Sequence, residues 1–267
     1  MNDIFNAIIM GVVEGLTEFL PVSSTGHMIL TAHLLNFLGE RAKTFEIIVQ
    51  LGAVIAVFVL YFRRFLRFFN FKPGYLQRPG VNIIHVGLAM APAVIIGLAL
   101  HDFIKQYLFG PWSVLIGLVA GGILMIVAER VRIPVTADSM DDITYKQAFL
   151  IGVFQCLALW PGFSRSGSTI SGGLLVGTSQ KAVAEFTFIV SVPIMFAASG
   201  LDLYKSRAFL TFDDLGLFLV GLAVSFVVGM IAVVTFINAI KRLKLSWFAY
   251  YRFVLAFFFY LILSQSF

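Results

Sequence analysis

Cysteine is nearly missing: Cys156 is the single one in 267 residues, which excludes an internal disulfide and a cysteine-based metal site. Charge is scarce, at 12% of residues against the roughly 25% of soluble domains. No Walker-A glycine loop and no kinase signature occur, so nucleotide chemistry has no support. The start, Met1-Asn2-Asp3-Ile4-Phe5, lacks a basic n-region, so no cleavable signal is expected and insertion falls to the hydrophobic segments themselves. Tryptophan is limited to 3 residues beside 29 Phe, an excess that reads as lipid contact and packing. What is abundant is apolar: 60% of the chain is hydrophobic and the mean hydropathy is +0.95. A soluble fold of this size could not hide so much apolar surface. Disorder, a secreted disulfide scaffold and a nucleic-acid partner are thereby excluded, and an all-α polytopic membrane protein is expected. The net charge of +5 fits an excess of Lys and Arg in cytoplasmic loops.

Six stretches read as full spans, since about 20 apolar residues cross a bilayer. They run approximately over Phe45–Phe62, Val81–Leu100, Trp112–Ala128, Val183–Leu201, Leu215–Ile240 and Trp247–Leu263. Trp112 and Trp247 fall at span ends, where amphipathic rings favour the headgroup layer. Pro92 and Pro193 sit inside spans and need only kink them.

Two further apolar segments are wrong for a simple span. Ile4–Leu20 contains Glu14 and Glu18, stops at Pro21, and continues through Ser23-Ser24-Thr25-Gly26-His27 into a short piece, Met28–Leu38. Tyr145–Trp160 likewise stops at Pro161-Gly162 and continues through Ser164-Arg165-Ser166-Gly167-Ser168-Thr169 into Ile170–Val176. Each reads as helix, polar turn, short helix. Irregular backbone at membrane depth survives only when buried in protein or lining a cavity, so both segments are expected to be re-entrant hairpins. They also match each other. Sliding the chain so that Ser23 meets Ser164 brings Gly11 onto Gly152, Gly26 onto Gly167 and Phe45 onto Phe186. The spacing predicts an internal duplication, with one repeat over about residues 1–130 and the other over about 142–267. Each repeat is one hairpin plus three spans. Three is odd, so the second copy enters from the opposite side, an inverted-topology repeat whose hairpin tips meet near the midplane. Loop charges orient it. Arg63, Arg64, Arg67, Lys72, Arg78, Arg130, Arg132, Lys146, Lys241, Arg242 and Lys244 flank one side, and only Arg41, Lys43, Lys105, Lys205 and Arg207 the other. The positive-inside rule then places both termini outside the cytoplasm.

The polar residues at depth carry the functional argument. Glu14 and Glu18 are one helical turn apart and share a face. Two carboxylates there must face a polar interior, where they repel each other or recruit a cation. His27 follows the Ser23-Ser24-Thr25-Gly26 turn, whose hydroxyls and free amides suit an anion. Arg165 lies at the second tip, within Ser164-Arg165-Ser166-Gly167, and its planar fork suits phosphate oxygens. The bland alternative for Arg165 is a structural ion pair with Glu14 or Glu18. Donors and a cation to hold charged oxygens, beside an acid/base pair, form the logic of phosphoryl transfer on a phosphorylated lipid. Glu46, Glu129, Glu185 and Arg252 are weaker candidates, with Arg252 expected to pair with an acid or to snorkel.

At this point the chain resembles the bacterial undecaprenyl-diphosphate phosphatases of the bacitracin-resistance type. Glu14-Gly-Leu-Thr-Glu18-Phe-Leu-Pro-Val-Ser-Ser-Thr-Gly-His27 is similar to the family's glutamate-rich motif, and Pro161-Gly-Phe-Ser-Arg165-Ser-Gly-Ser-Thr169 to its second motif. The resemblance implies a plasma-membrane enzyme that releases phosphate from undecaprenyl diphosphate, recycling the lipid carrier for cell-wall polymers. It also implies dependence on a divalent cation, Mg or Ca, and a site open to the outer face. Carried onto this chain, the catalytic positions are Glu14, Glu18, Ser24, His27 and Arg165. Phosphate binding is expected from Ser23, Ser24, Thr25, Gly26, Ser164, Arg165, Ser166 and Gly167, and metal binding from Glu14 and Glu18. The attacking group stays open among Ser24, His27 and water. A lipid-phosphate flippase or anion transporter is the competing class, because inverted repeats with broken helices are also transporter architecture.

Overall fold

The computed structural model describes residues 2–69, 80–108, 110–206 and 215–265. Lys72, Arg78 and Arg207, which entered the loop-charge argument, lie outside the described residues, as does the side chain of Lys105. The described chain is helical, with no strand and one isolated bridge between Ala137 and Thr178. Helix α1 (Asn2–Thr17) and α2 (Ser24–Leu34) form the first hairpin; α3 (Glu40–Leu60), a short α4 (Phe62–Phe68), α5 (Ile83–Ala99) and a single turn α6 (His101–Phe103) follow. After α7 (Pro111–Arg130) come α8 (Tyr145–Gln155), extended by the 3-10 turn Cys156–Leu159, and α9 (Arg165–Leu175), the second hairpin. The chain ends in α10 (Gln180–Ser206), α11 (Leu215–Ala239) and α12 (Leu245–Gln265).

Five of these helices, α3, α7, α10, α11 and α12, are long and apolar enough to cross a membrane. Their outward residues are large and apolar, such as Ile231 and Phe257, as lipid contact requires. The chain is an all-α polytopic membrane protein. The span expected over Val81–Leu100 is α5, which is shorter, at 17 residues. Its start is set by Asn82, whose side chain accepts from the amides of Ile84 and His85 while the His85 ring accepts from the Asn82 amide. Pro92 and Pro193 are accommodated inside α5 and α10 without ending them.

The polar motif residues were expected in turns, yet α2 and α9 already begin at Ser24 and Arg165. Ser23 and Ser164 are the reason. Each caps the next helix, accepting from the amide of Gly26 at 3.4 Å and of Gly167 at 3.2 Å. The motifs therefore lie on the first turns of two helices, where unpaired amides are available.

Small residues bring the helices together. The side of α1 carrying Gly11 and Gly15 packs on α11, where a Cβ at either position would lie 2.8 Å from the carbonyl oxygens of Gly221 and Ser225. Gly152, the sequence partner of Gly11, packs α8 on α5 in the same manner, with its missing Cβ 2.5 Å from the Ala89 carbonyl. Glu129 at the end of α7 accepts from the Ser246 amide and hydroxyl, capping α12 from a neighbouring helix. On the side richer in Arg and Lys, Arg64 holds Asp141 through hydrogen bonds of 2.7 and 2.5 Å, and the Val81 amide donates to the same carboxylate at 3.2 Å. Burial pushes the Asp141 carboxyl up, but the Arg64 hydrogen bonds and charge, with the Val81 amide, together hold it below its usual range.

Candidate active site

A proline, Pro21 or Pro161, follows the end of each entering helix, and the chain then reverses through a strained serine. Ser23 and Ser164 have φ of 71° and 72°, left-handed values that cost a residue with a Cβ about 1–3 kcal/mol. The strain is sustained because neighbouring groups hold both turns. Ser166 donates through Oγ to the Leu20 carbonyl at 2.8 Å, tying the second turn to the first.

One more helical bond, from the Glu18 amide to the Glu14 carbonyl at 3.0 Å, carries the α1 ladder to Glu18. Both carboxylates are thus on one face and buried. Glu18 is the hub. Its Oε1 accepts from Arg165 Nη2 at 2.9 Å, and its Oε2 from the Ser24 hydroxyl. Beneath the guanidinium lies the Phe19 ring, with Cζ 5.9 Å from the ring centroid. Arg165 Nη1 is buried and has no hydrogen-bond partner among the described residues. The bland alternative for Arg165 is therefore half realised: the ion pair exists, and a second donor remains unspent.

Two cavities adjoin this chain of bonds. The first, about 180 Å³, is walled by Glu18, Ser23, Ser24, Thr25, Ser164 and Arg165, with Trp160 and Met195 adding an apolar side. The second, about 160 Å³, is walled by Glu14, Ser24, Thr25, Lys43, Glu46 and Gln50. Ser24, Thr25 and Gln50 line both.

The remaining expected site residues lie elsewhere. Gly26 and Gly167 donate their amides to the capping serines, and Ser166 is spent on Leu20. These three line neither cavity; they hold the turns. His27 is also outside both cavities. Its Nδ1 is 2.8 Å from the Ser23 carbonyl and its Nε2 2.7 Å from the Tyr251 hydroxyl, with the two rings stacked. Arg252, expected to find an acid or to snorkel, does neither: it is wholly buried and donates to backbone carbonyls. Glu129 caps α12, and Glu185 pairs with Lys181 at 3.5 Å.

Sequence reasoning passed over Gln50, Lys43 and Tyr251. Gln50 gave a usable signal, a lone amide within an otherwise apolar span. Tyr251 gave none, because a tyrosine near a span end is ordinary.

Among the described residues no three His, Cys, Asp or Glu side chains cluster as a metal cage. The oxygens of Glu14, Glu18, Ser24 and Gln50 around two adjoining cavities are the donor type of a hard cation with few protein ligands.

Comparison with known proteins places the chain in a family. The family model described as "Bacitracin resistance protein BacA" matches residues 7–258, which include both hairpin turns and the Glu18–Arg165 pair. "Undecaprenyl-diphosphatase 1" of Bacillus thuringiensis subsp. konkukian (strain 97-27) is 55% identical over 256 residues, covering 96% of this chain and 97% of the relative. The proteins of the same name from Bacillus anthracis and Bacillus thuringiensis (strain Al Hakam) match to the same extent. With nearly the whole chain matched and both hairpin turns inside the match, this protein belongs to the BacA family of bacitracin resistance proteins.

Proposed function

We propose that the protein hydrolyses undecaprenyl diphosphate to undecaprenyl phosphate and inorganic phosphate in the bacterial plasma membrane, returning the carrier to cell-wall synthesis and lowering sensitivity to bacitracin. The observation that carries this reading is the bonded series Arg165–Glu18–Ser24 bridging two hairpin tips beside a polar cavity with an apolar wall. In the proposed arrangement the unspent Nη1 of Arg165 and the amides opening α2 and α9 hold the diphosphate oxygens. The apolar wall at Trp160 and Met195 receives the lipid end.

Ser24 donates its hydroxyl proton to Glu18, which is the geometry of a nucleophile and its base. In this route Ser24 Oγ attacks the terminal phosphorus, its proton passes to Glu18, and the anhydride bond breaks with the departing undecaprenyl phosphate taking that proton. Water then attacks the phosphoserine, giving its proton to Glu18, which returns it to Ser24 Oγ as that P–O bond breaks and phosphate leaves. His27, held by Ser23 and Tyr251, orients the Ser23 turn from behind. Glu14 and Glu18 would hold a Mg or Ca ion, which when bound would neutralise charge on the phosphate oxygens.

An inverted repeat over about residues 1–130 and 142–267 is part of the proposal. Three features support it: the paired φ values of Ser23 and Ser164, their matching caps, and the packing of α1 on α11 and of α8 on α5 through Gly11 and Gly152. The termini and the cavities then face the periplasmic or outer side.

The test is phosphate release from undecaprenyl diphosphate by detergent-purified protein, with and without chelator, alongside Glu18→Gln and Arg165→Ala. Cation-dependent release that both variants lose is the expected result. Folded protein that binds the lipid but releases no phosphate is instead a transporter. Denaturing the enzyme during turnover should leave a phosphorylated Ser24; hydrolysis without it moves the attack to water.

A further inference from the structure

Beneath the second turn lies a charge that the proposed chemistry does not use. The Arg252 side chain is 0% exposed and makes no ion pair among the described residues. Its Nη1 donates to the Phe163 carbonyl at 2.9 Å, and its Nη2 to the carbonyls of Gly162 at 2.8 Å and Gly117 at 3.0 Å. Nε has no partner. A groove made for it runs along α7, where a Cβ at Gly121 would lie 2.5 Å from Nη2. On the other side, a Cβ at Gly167 would lie 3.1 Å from Nη1. Burying a guanidinium without a carboxylate is costly, and a neutral side chain could fill the same space.

The peptide plane supplies a reason for the charge. In a trans peptide the carbonyl and the following N–H point in opposite directions. With the Phe163 carbonyl turned onto Arg252, the Ser164 N–H points away from the guanidinium, and Ser164 is itself a wall of the first cavity. We propose that Arg252 is a positioning residue for the phosphate-binding turn: by gripping the Gly162 and Phe163 carbonyls it aims the Ser164 amide at the substrate's phosphate, and its unpaired positive charge adds attraction for that anion. Among the described residues the first turn has no such guanidinium; the Ser166 hydroxyl and the His27 ring brace it. The inference rests on the proposed phosphatase reading, because it names the ligand as a diphosphate.

Arg252→Lys and Arg252→Met separate grip from charge. For each, thermal unfolding, KM and kcat for undecaprenyl diphosphate, and competitive inhibition by inorganic pyrophosphate are measured on the full chain in detergent. KM and the pyrophosphate inhibition constant should rise together by about ten-fold in the Met variant, with kcat changing less. The Lys variant should recover part of that loss by keeping the charge. Gly121→Ala would set a Cβ against the Phe163 carbonyl oxygen and 2.5 Å from Nη2, forcing the grip itself apart, and should raise the same two constants if the Arg252 variants do not fold. Folded variants with unchanged inhibition constants, whatever their melting temperature, would reduce Arg252 to a packing brace and overturn the proposal. Wild-type protein that releases no phosphate would overturn the phosphatase reading instead.

Discussion

Arg165 and Glu18 are two charges that each need the other, and Arg165 still keeps one donor unspent. Removing either leaves its partner buried and uncompensated, a loss of about 3–5 kcal/mol for a buried pair. Arg165→Lys keeps the charge but not the fork, so one ammonium cannot serve both Glu18 and a phosphate oxygen. We expect kcat/KM of Arg165→Lys to fall by about 100-fold, on the order of 3 kcal/mol of lost transition-state stabilisation. A variant within three-fold of wild type in a steady-state assay would remove the bidentate argument. Tyr251→Phe loses one hydrogen bond to His27, worth about 1 kcal/mol, so activity should drop by less than about ten-fold and His27→Ala should cost more. Equal losses in both would mean that His27 acts only through Tyr251. At this scale the sequence was informative for charges. Glu14, Glu18 and Arg165 stand out because ionised groups are rare at membrane depth. It was uninformative for small residues. Whether Gly26, Ser166 and Gly167 meet substrate or hold a turn depends on the direction of a single amide or hydroxyl, and composition does not encode that.

Among the elements, helix contacts without side chains set the positions of the hairpins. Without a hydrophobic drive between helices in lipid, close backbone approach does the work. Gly11→Ala and Gly152→Ala each insert a Cβ within 3 Å of a carbonyl oxygen on a facing helix. Overpacking of this kind costs about 1–3 kcal/mol, so each variant should melt earlier than wild type in detergent. The double variant should lose roughly the sum, since the two contacts are on different helix pairs. An unchanged melting temperature would show that α1 and α8 have room to shift. The element boundaries show where sequence patterns stop being sufficient. Hydropathy located the long apolar helices and both hairpins, but it placed the motif residues in loops. The seryl caps at Ser23 and Ser164 extend α2 and α9 back over those residues, and that capping was not visible in the apolar pattern.

Across the whole molecule, the Arg64–Asp141 pair joins the α4 side to the segment before α8. Asp141 is held below its ordinary value, so the stability it lends is present above the unfolded aspartate value of about 3.9 and is lost as pH falls through the lower folded value. Both side chains are partly exposed, which limits the pair to about 1 kcal/mol or less. Asp141→Asn should therefore melt slightly earlier than wild type at pH 7, with the difference shrinking below about pH 4. A difference that persists into stronger acid would assign the effect to packing rather than charge.

The membrane class, the six apolar segments, the two broken helices and the presence of charged residues within them were determined by the sequence alone, because each is a local property of hydropathy, proline placement and ionisable groups. Only the tertiary structure decided which of those groups meet. Glu18 and Arg165 are 2.9 Å apart at the tips of different hairpins, while His27, nine positions beyond Glu18, turns away to Tyr251. Arg252 finds carbonyls where an acid was expected. The reason is geometric. A side chain's partner across the bundle depends on helix rotation and on the reversal made at Ser23 and Ser164, and both are set by packing between distant segments.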